Sequence, residues 1–144
     1  GDGPERRALE HLARGQGVAA RVRFLGAVKQ DALREIYNAA DALVLASSRE
    51  GWANVLLEAM ACGTPVVASN VWGTPEVVAT PEAGKLMAAR TPEAVADAAR
   101  ALLADPPSRA ATRAYAEGFS WDATSRGQKI LFERILAGRA PAPR

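Results

Sequence analysis

The run from Ala42 to Ser69, A-L-V-L-A-S-S-R-E-G-W-A-N-V-L-L-E-A-M-A-C-G-T-P-V-V-A-S, decides the fold of this chain. Ala42 to Ala46 is short and uninterruptedly apolar, the pattern of a strand buried on both faces of a parallel sheet rather than one that alternates toward solvent. Asn54 to Cys62 reads as a helix closed by Gly63, and Pro65 to Ala68 as the next buried strand. Strand, loop, helix and strand in that order make a crossover unit, with its first loop at the C-terminal end of a strand.

Working outward, the turn Gly1-Asp2-Gly3-Pro4 leads into a surface helix over Pro4 to Arg14, stopped by Gly15 and Gly17. Val22 to Leu25 predicts a short strand ending at Gly26, and Leu33, Ile36, Tyr37 and Ala40 sit at helical spacing within Asp31 to Ala40. On the other side, Gly73-Thr74-Pro75-Glu76 turns into a short helix, and Lys85 to Ala88 is a last strand. Thr91 caps a helix whose stripe is Val95, Ala98, Ala99, Leu102 and Leu103; Pro106 and Pro107 end it. Helices over Ser108 to Glu117 and Asp122 to Leu136 follow. Trp121 and Phe132 are expected to anchor the last of them in the core, Asp31 to cap its helix, and His11 to face solvent.

These elements define an α/β fold, a doubly wound parallel sheet of Rossmann type with extra C-terminal helices. Residues 1–137 form one domain and residues 138–144, with Pro141 and Pro143, a flexible tail. Ligands of such a sheet bind at the C-terminal ends of its strands, here the loops after Leu25, Ala46 and Ser69.

With 144 residues, 49% of them hydrophobic, the chain is long enough for one good core. A net charge of +2, with no basic block, argues against nucleic acid as a partner. The single cysteine, Cys62, sits in an apolar run and suits packing in a reducing cytoplasm better than a disulfide. No apolar stretch approaches the roughly 20 residues of a membrane-spanning helix, and the layout of a signal peptide is not seen.

The loop Ser47-Ser48-Arg49-Glu50-Gly51-Trp52-Ala53 feeds directly into the helix at Asn54. A helix N-terminus offers unpaired N–H groups and the positive end of its dipole, which suits a phosphate. Gly51 and Ala53 keep that backbone approachable. Glu50 lies in the loop and Glu58 about one helical turn, roughly 5.4 Å, beyond Asn54. Two carboxylates are poor phosphate ligands but good acceptors for sugar hydroxyls on either side of a diphosphate. A nucleotide-diphosphate sugar has that shape.

This stretch resembles the E-x7-E region of glycosyltransferase family 4, retaining enzymes of the GT-B fold. The likeness rests on Glu50-Gly51, Leu57-Glu58-Ala59-Met60-Ala61, Gly63-Thr64-Pro65-Val66-Val67-Ala68 and Gly73-Thr74-Pro75-Glu76. Gly1-Asp2-Gly3-Pro4, Phe24-Leu25-Gly26, Ala40-Asp41 and Phe119-Ser120-Trp121 extend it over essentially the whole chain. The resemblance implies the C-terminal, donor-binding half of a hexosyltransferase. Glu50 would then face the donor sugar as the catalytic residue, and Glu58 would accept from ribose hydroxyls. Gly51 and the backbone of Trp52, Ala53, Asn54 and Val55 would hold sugar oxygens and phosphate, Val28 the base, and Gly73 the far side of the pocket. Two positions depart from the family pattern: Ala53 follows Trp52 where Gly often follows an aromatic residue, and Trp72-Gly73 replaces a common Gly-Gly.

By the same resemblance, the basic pair that neutralises the leaving diphosphate, and a whole N-terminal acceptor-binding domain, precede the Gly-Asp-Gly-Pro turn. This chain alone is therefore expected to be inactive, with the N-terminal domain as its partner and membrane association only through that domain. No cofactor is expected, the nucleotide sugar being a substrate. No metal is expected either, since neither a His, Cys or carboxylate cluster nor an Asp-x-Asp element is present. The competing functions are a non-catalytic sugar-nucleotide-binding module and a sugar-nucleotide epimerase. A dinucleotide oxidoreductase fails because no Gly-x-Gly-x-x-Gly follows a strand.

Overall fold

The computed structural model of the chain describes residues 2–138, apart from the side chain of Ala123. The expected tail over residues 138–144 therefore lies, but for Gly138, outside the described residues. Three parallel strands, β1 (Leu43–Leu45), β2 (Val66–Ser69) and β3 (Gly84–Met87), lie in the order β1-β2-β3. Leu43 pairs with Val66 and Leu45 with Ala68, while Val66 pairs with Gly84 and Ser69 with Met87. The central strand β2 is buried at every residue, as its unbroken Val-Val-Ala run requires.

Successive side chains of β2 point to opposite faces and build two cores. Val66 and Ala68 join Leu56, Ala59 and Met60 of α3 (Asn54–Ala61) and Tyr37 of α2 (Gln30–Ala39). Val67, with Met87, meets Leu102 of α5 (Pro92–Ala104) on the other face, and the short helix α4 (Thr74–Val77) joins β2 to β3. The sheet is thus covered on both sides, the doubly wound arrangement read from the sequence.

Helix ends are built as the sequence chemistry dictates. Thr91 Oγ1 accepts the Ala94 N–H at 3.3 Å, and Ser108 Oγ accepts the Ala111 N–H at 3.2 Å at the start of α6 (Arg109–Glu117). At the end of α3, Gly63 takes the left-handed conformation with φ 76°. Its N–H bonds to Met60 O at 2.8 Å and the Thr64 N–H to Ala59 O at 3.0 Å, which satisfies two orphan carbonyls. Arg109 does the same from outside, its guanidinium donating to Asn38 O (2.8 Å), Ala40 O (3.0 Å), Cys62 O (3.3 Å) and Thr64 Oγ1 (3.1 Å). One side chain of α6 thereby ties together the C-terminal ends of α2 and α3.

Four expectations are corrected. The run Ala42–Ala46 forms β1 but is not buried on both faces, because β1 lies at the edge of the described sheet and Val44 is 45% exposed. Val22–Leu25 is not a strand; Val22 is extended (φ −113°, ψ 127°), but the segment joins no ladder. A strand exists only through a neighbour about 4.8 Å away, and β1 pairs with β2 alone among the described strands. Phe24 O instead accepts from Arg6 Nη2 at 3.2 Å, Arg6 belonging to α1 (Arg6–Gly15). Asp31 does not cap α2; Lys29 holds the N-cap position and Asp31 lies in the first turn, favourable to the dipole only. Trp121 and Phe132 of α7 (Trp121–Ala137) are 80% and 60% exposed, because no described element packs over this helix. Its apolar residues Ile130, Leu131, Ile135 and Leu136 are exposed as well. His11 is exposed, and Cys62 packs against the larger core, as read from the sequence.

Candidate functional site

The loop of residues 46–53, leaving β1, and the loop of residues 70–73, leaving β2, emerge side by side at the C-terminal edge of the sheet. Their roots are tied by Ser69, whose buried hydroxyl donates to Ser47 O at 2.7 Å. Arg90 Nε donates to Ala46 O at 3.2 Å. Ala53, 2% exposed, anchors the end of the first loop in the core, so the start of α3 is held rigidly. No side chain caps that start. Asn54 N–H turns back to Trp52 O at 2.9 Å and Leu56 N–H to Ala53 O at 3.0 Å.

Gly73 occupies its place for a reason distinct from donor contact. A Cβ built on it would stand 2.2 Å from Gly51 O, so the second loop presses its backbone against the first. Only a residue without a side chain permits that approach. Gly73 therefore supports the Glu50–Ala53 loop from behind, with the Trp52 ring also in contact range at 3.9 Å from the same point. Its neighbour Trp72 has φ 46°, the sole positive φ of a non-glycine among the described residues, and its ring is 69% exposed beside the loops. That conformation is why glycine suits this position, and a tryptophan holds it at a cost.

Glu58 lies on α3, half-buried, and both its oxygens face donors from α2. Gln30 Nε2 is 3.4 Å from Oε1 and the Tyr37 hydroxyl 3.3 Å from Oε2. Burial first, then the Glu58 charge and this hydrogen bond, raise the Tyr37 phenol above its ordinary value of 10.0, so it stays a donor. A recess of about 180 Å³ opens here between Gln30, Leu33, Arg34, Tyr37, Glu58 and Cys62. A second, of about 250 Å³, lies at the other side of the α3 start, with Trp52, Asn54, Leu57, Phe119 and Trp121 among its walls. Trp52 and Phe119 rings stand 6.0 Å apart and tilted by 59°. The two recesses flank α3.

The expected site residues thus fall into two groups. Glu50, Gly51, Trp52, Ala53, Asn54 and Val55 form one continuous loop and helix start, backed by Gly73. Glu58 faces α2, and Val28 lies in the loop entering that helix, two residues before Gln30. That loop is fixed by Asp2, whose carboxylate accepts the Ala27 N–H at 2.8 Å and pairs with Arg6. The Ala27 bond first, and Arg6 next, hold the Asp2 carboxyl below its ordinary range. Sequence reading places Tyr37 only on an apolar stripe; the sign of a further role is a hydroxyl on a buried face, which must find a partner. Among the described residues, no group of three or more His, Cys, Asp or Glu is placed to hold a metal ion.

The open parallel sheet with helices on both faces is an α/β domain of the GT-B type. The chain belongs to the glycosyl transferases group 1 family, whose model matches residues 1–119. It is 40% identical over 124 residues to the D-inositol 3-phosphate glycosyltransferase of Rhodococcus opacus, covering 83% of this chain and 28% of that protein. Among solved structures, sucrose-phosphate synthase from Thermosynechococcus elongatus is 34% identical with a TM-score of 0.77, covering 96% of this chain and 36% of that one. Anabaena HepE, solved in complex with UDP, is 25% identical with a TM-score of 0.70, covering 91% of this chain and 36% of that one. The chain therefore spans about a third or less of the proteins it matches.

Proposed function

We propose that this chain is the donor-binding part of a retaining hexosyltransferase that uses a nucleotide-diphosphate sugar. The observation that carries the reading is the uncapped start of α3 beneath the Glu50–Ala53 loop, with Glu58 on the same helix held by α2. The Val55 N–H and the helix dipole suit the diphosphate, Glu58 the ribose hydroxyls, and Glu50 the donor sugar. A relative of this fold solved with UDP supports a nucleotide ligand.

In this reading the acceptor oxygen bonds to the anomeric carbon on the face from which the diphosphate leaves. The carbon–oxygen bond to phosphate breaks, and the acceptor proton passes to the departing phosphate oxygen. Negative charge developing on that phosphate requires preorganised positive groups in a water-poor cleft. The α3 start supplies part of this, and the rest falls to a basic pair upstream of the Gly-Asp-Gly-Pro turn, on the first strand and helix of the same nucleotide-binding domain, with an acceptor-binding domain closing the cleft. The exposed apolar face of α7 supports the presence of such a further domain. By itself the present chain is then inactive. Among the described residues no helix is long and apolar enough to cross a membrane, and we place the protein in the cytoplasm, where nucleotide sugars are available to it.

Titration of the full-length protein with UDP, GDP and ADP tests the donor site and identifies the base. Glu58→Ala is expected to weaken whichever binds; unchanged affinity would remove Glu58 from the site. The anomeric configuration of the product, read by NMR, tests retention, and an inverted product refutes it. Transfer that persists in excess EDTA is expected, and transfer abolished by EDTA and restored by a divalent cation contradicts metal independence.

A further inference from the structure

Glu58 is held by a partner that is itself immobile. Tyr37 is 7% exposed within the larger core, its ring enclosed by the packing of α2 on α3. Its main-chain carbonyl accepts the hydroxyl of the buried Thr64. Thr64 is in turn bound by Arg109, which also fastens the ends of α2 and α3. The phenol oxygen is therefore a fixed point in the wall of the recess, and the more flexible, half-buried Glu58 side chain must come to it.

Gln30 and Tyr37 are seven residues apart, two turns along one face of α2. They engage different oxygens of the same carboxylate, Oε1 and Oε2. An ionised carboxylate accepts about four hydrogen bonds, so one lone pair on each oxygen is left for a ligand. Two such acceptors side by side fit the two adjacent hydroxyls of a ribose. At 3.3 and 3.4 Å the present bonds are long, and polar contacts of unliganded sites commonly tighten only when the ligand is bound. Packing alone gives no reason for the hydroxyl, since phenylalanine would fill the same core.

We propose that Tyr37 is a positioning residue for the nucleotide ribose: by fixing Oε2 of Glu58, with Gln30 on Oε1, it aims the free lone pairs of the carboxylate at a vicinal diol. The inference rests on the reading of Glu58 as the ribose acceptor. It predicts that selectivity for a ribose over a deoxyribose depends on a side chain that does not touch the nucleotide.

The test is calorimetric titration of the full-length protein with whichever of UDP, GDP and ADP binds, and with its 2′-deoxy form. Tyr37→Phe is expected to lower the ratio of the two affinities roughly fivefold, mainly by weakening the ribonucleotide. In a Glu58→Gln background the same change should have no further effect on the ratio. A Tyr37→Phe protein that weakens both nucleotides equally, or neither, overturns the inference, because a purely structural role leaves the ratio alone. Gln30→Ala, on an exposed side chain, carries the same test if Tyr37→Phe does not fold, and an unchanged ratio there overturns the inference too. If Glu58→Gln itself keeps the wild-type ratio, the ribose reading of Glu58 fails and this inference fails with it. If Glu58→Gln loses the ratio while Tyr37→Phe keeps it, only the present inference fails.

Discussion

Replacing Gly73 with alanine puts the support of the Glu50–Ala53 loop under direct test. The new Cβ would meet Gly51 O at 2.2 Å, where ordinary contact begins at 3.4 Å, so one of the two loops must retreat by about 1 Å. Neither can do so freely. The first loop ends in the buried Ala53 and the second in the buried Thr74, and Ser69 ties their roots. Overpacking of this kind costs about 1–3 kcal/mol, and a 1 Å displacement at a site built for close positioning reduces turnover by up to roughly a hundredfold. Gly127→Ala is the control, because a Cβ there meets nothing within 4 Å on the exposed helix α7. That change should stabilise by about 0.5–1 kcal/mol through helix propensity alone. Urea unfolding and nucleotide titration of both variants give the comparison. A Gly73→Ala protein as stable as the parent, with undiminished nucleotide affinity, refutes the close-approach argument.

Trp72→Gly should raise stability by about 0.5–1 kcal/mol in urea unfolding, because relief of a left-handed tryptophan, about 1–2 kcal/mol, outweighs the entropy of an added glycine, about 0.5–1. Arg109→Ala should lose about 2 kcal/mol, since it strips hydrogen bonds from three helix-end carbonyls and Thr64; a loss within 0.5 kcal/mol would mean water replaces it fully. Asp2→Asn tests the loop that carries Val28. The Asp2 carboxyl titrates below its ordinary 3.8, so its contribution is present above that pH and is lost as pH falls through the folded value. The stability gap between parent and variant should therefore hold at neutral pH and close in acid, and a gap that is unchanged at pH 2 contradicts the assignment.

The strand β2 is legible in the sequence because burial on both faces leaves an uninterrupted apolar run, β1 because its run is apolar although Val44 stays exposed at the sheet edge, and the ends of α3 and α5 because Gly63 and Thr91 act locally. Val22–Leu25 has the composition of a strand, yet pairing is a property of the neighbour and not of the segment. The apolar spacing of α7 predicts burial equally well, and only the arrangement of the other helices shows that nothing described covers it. At the site, the position of Glu50 and Glu58 around a helix start is readable from their spacing. The hydroxyl of Tyr37 on Glu58 and the backbone of Gly73 on Gly51 join residues 21 and 22 positions apart. Such contacts follow from packing elements distant in sequence against one another, which no local pattern encodes. Trp72 is a conflict between side chain and backbone that appears only once φ is known.

The most direct measurement of the central claim is the backbone amide spectrum of the full-length protein during titration with the nucleoside diphosphate that binds. The largest shifts are expected at Val55, Asn54 and Glu58 around the start of α3, with smaller ones at Val28 and Gln30. Saturation that leaves the α3 amides in place while shifting residues on another face of the sheet would contradict it.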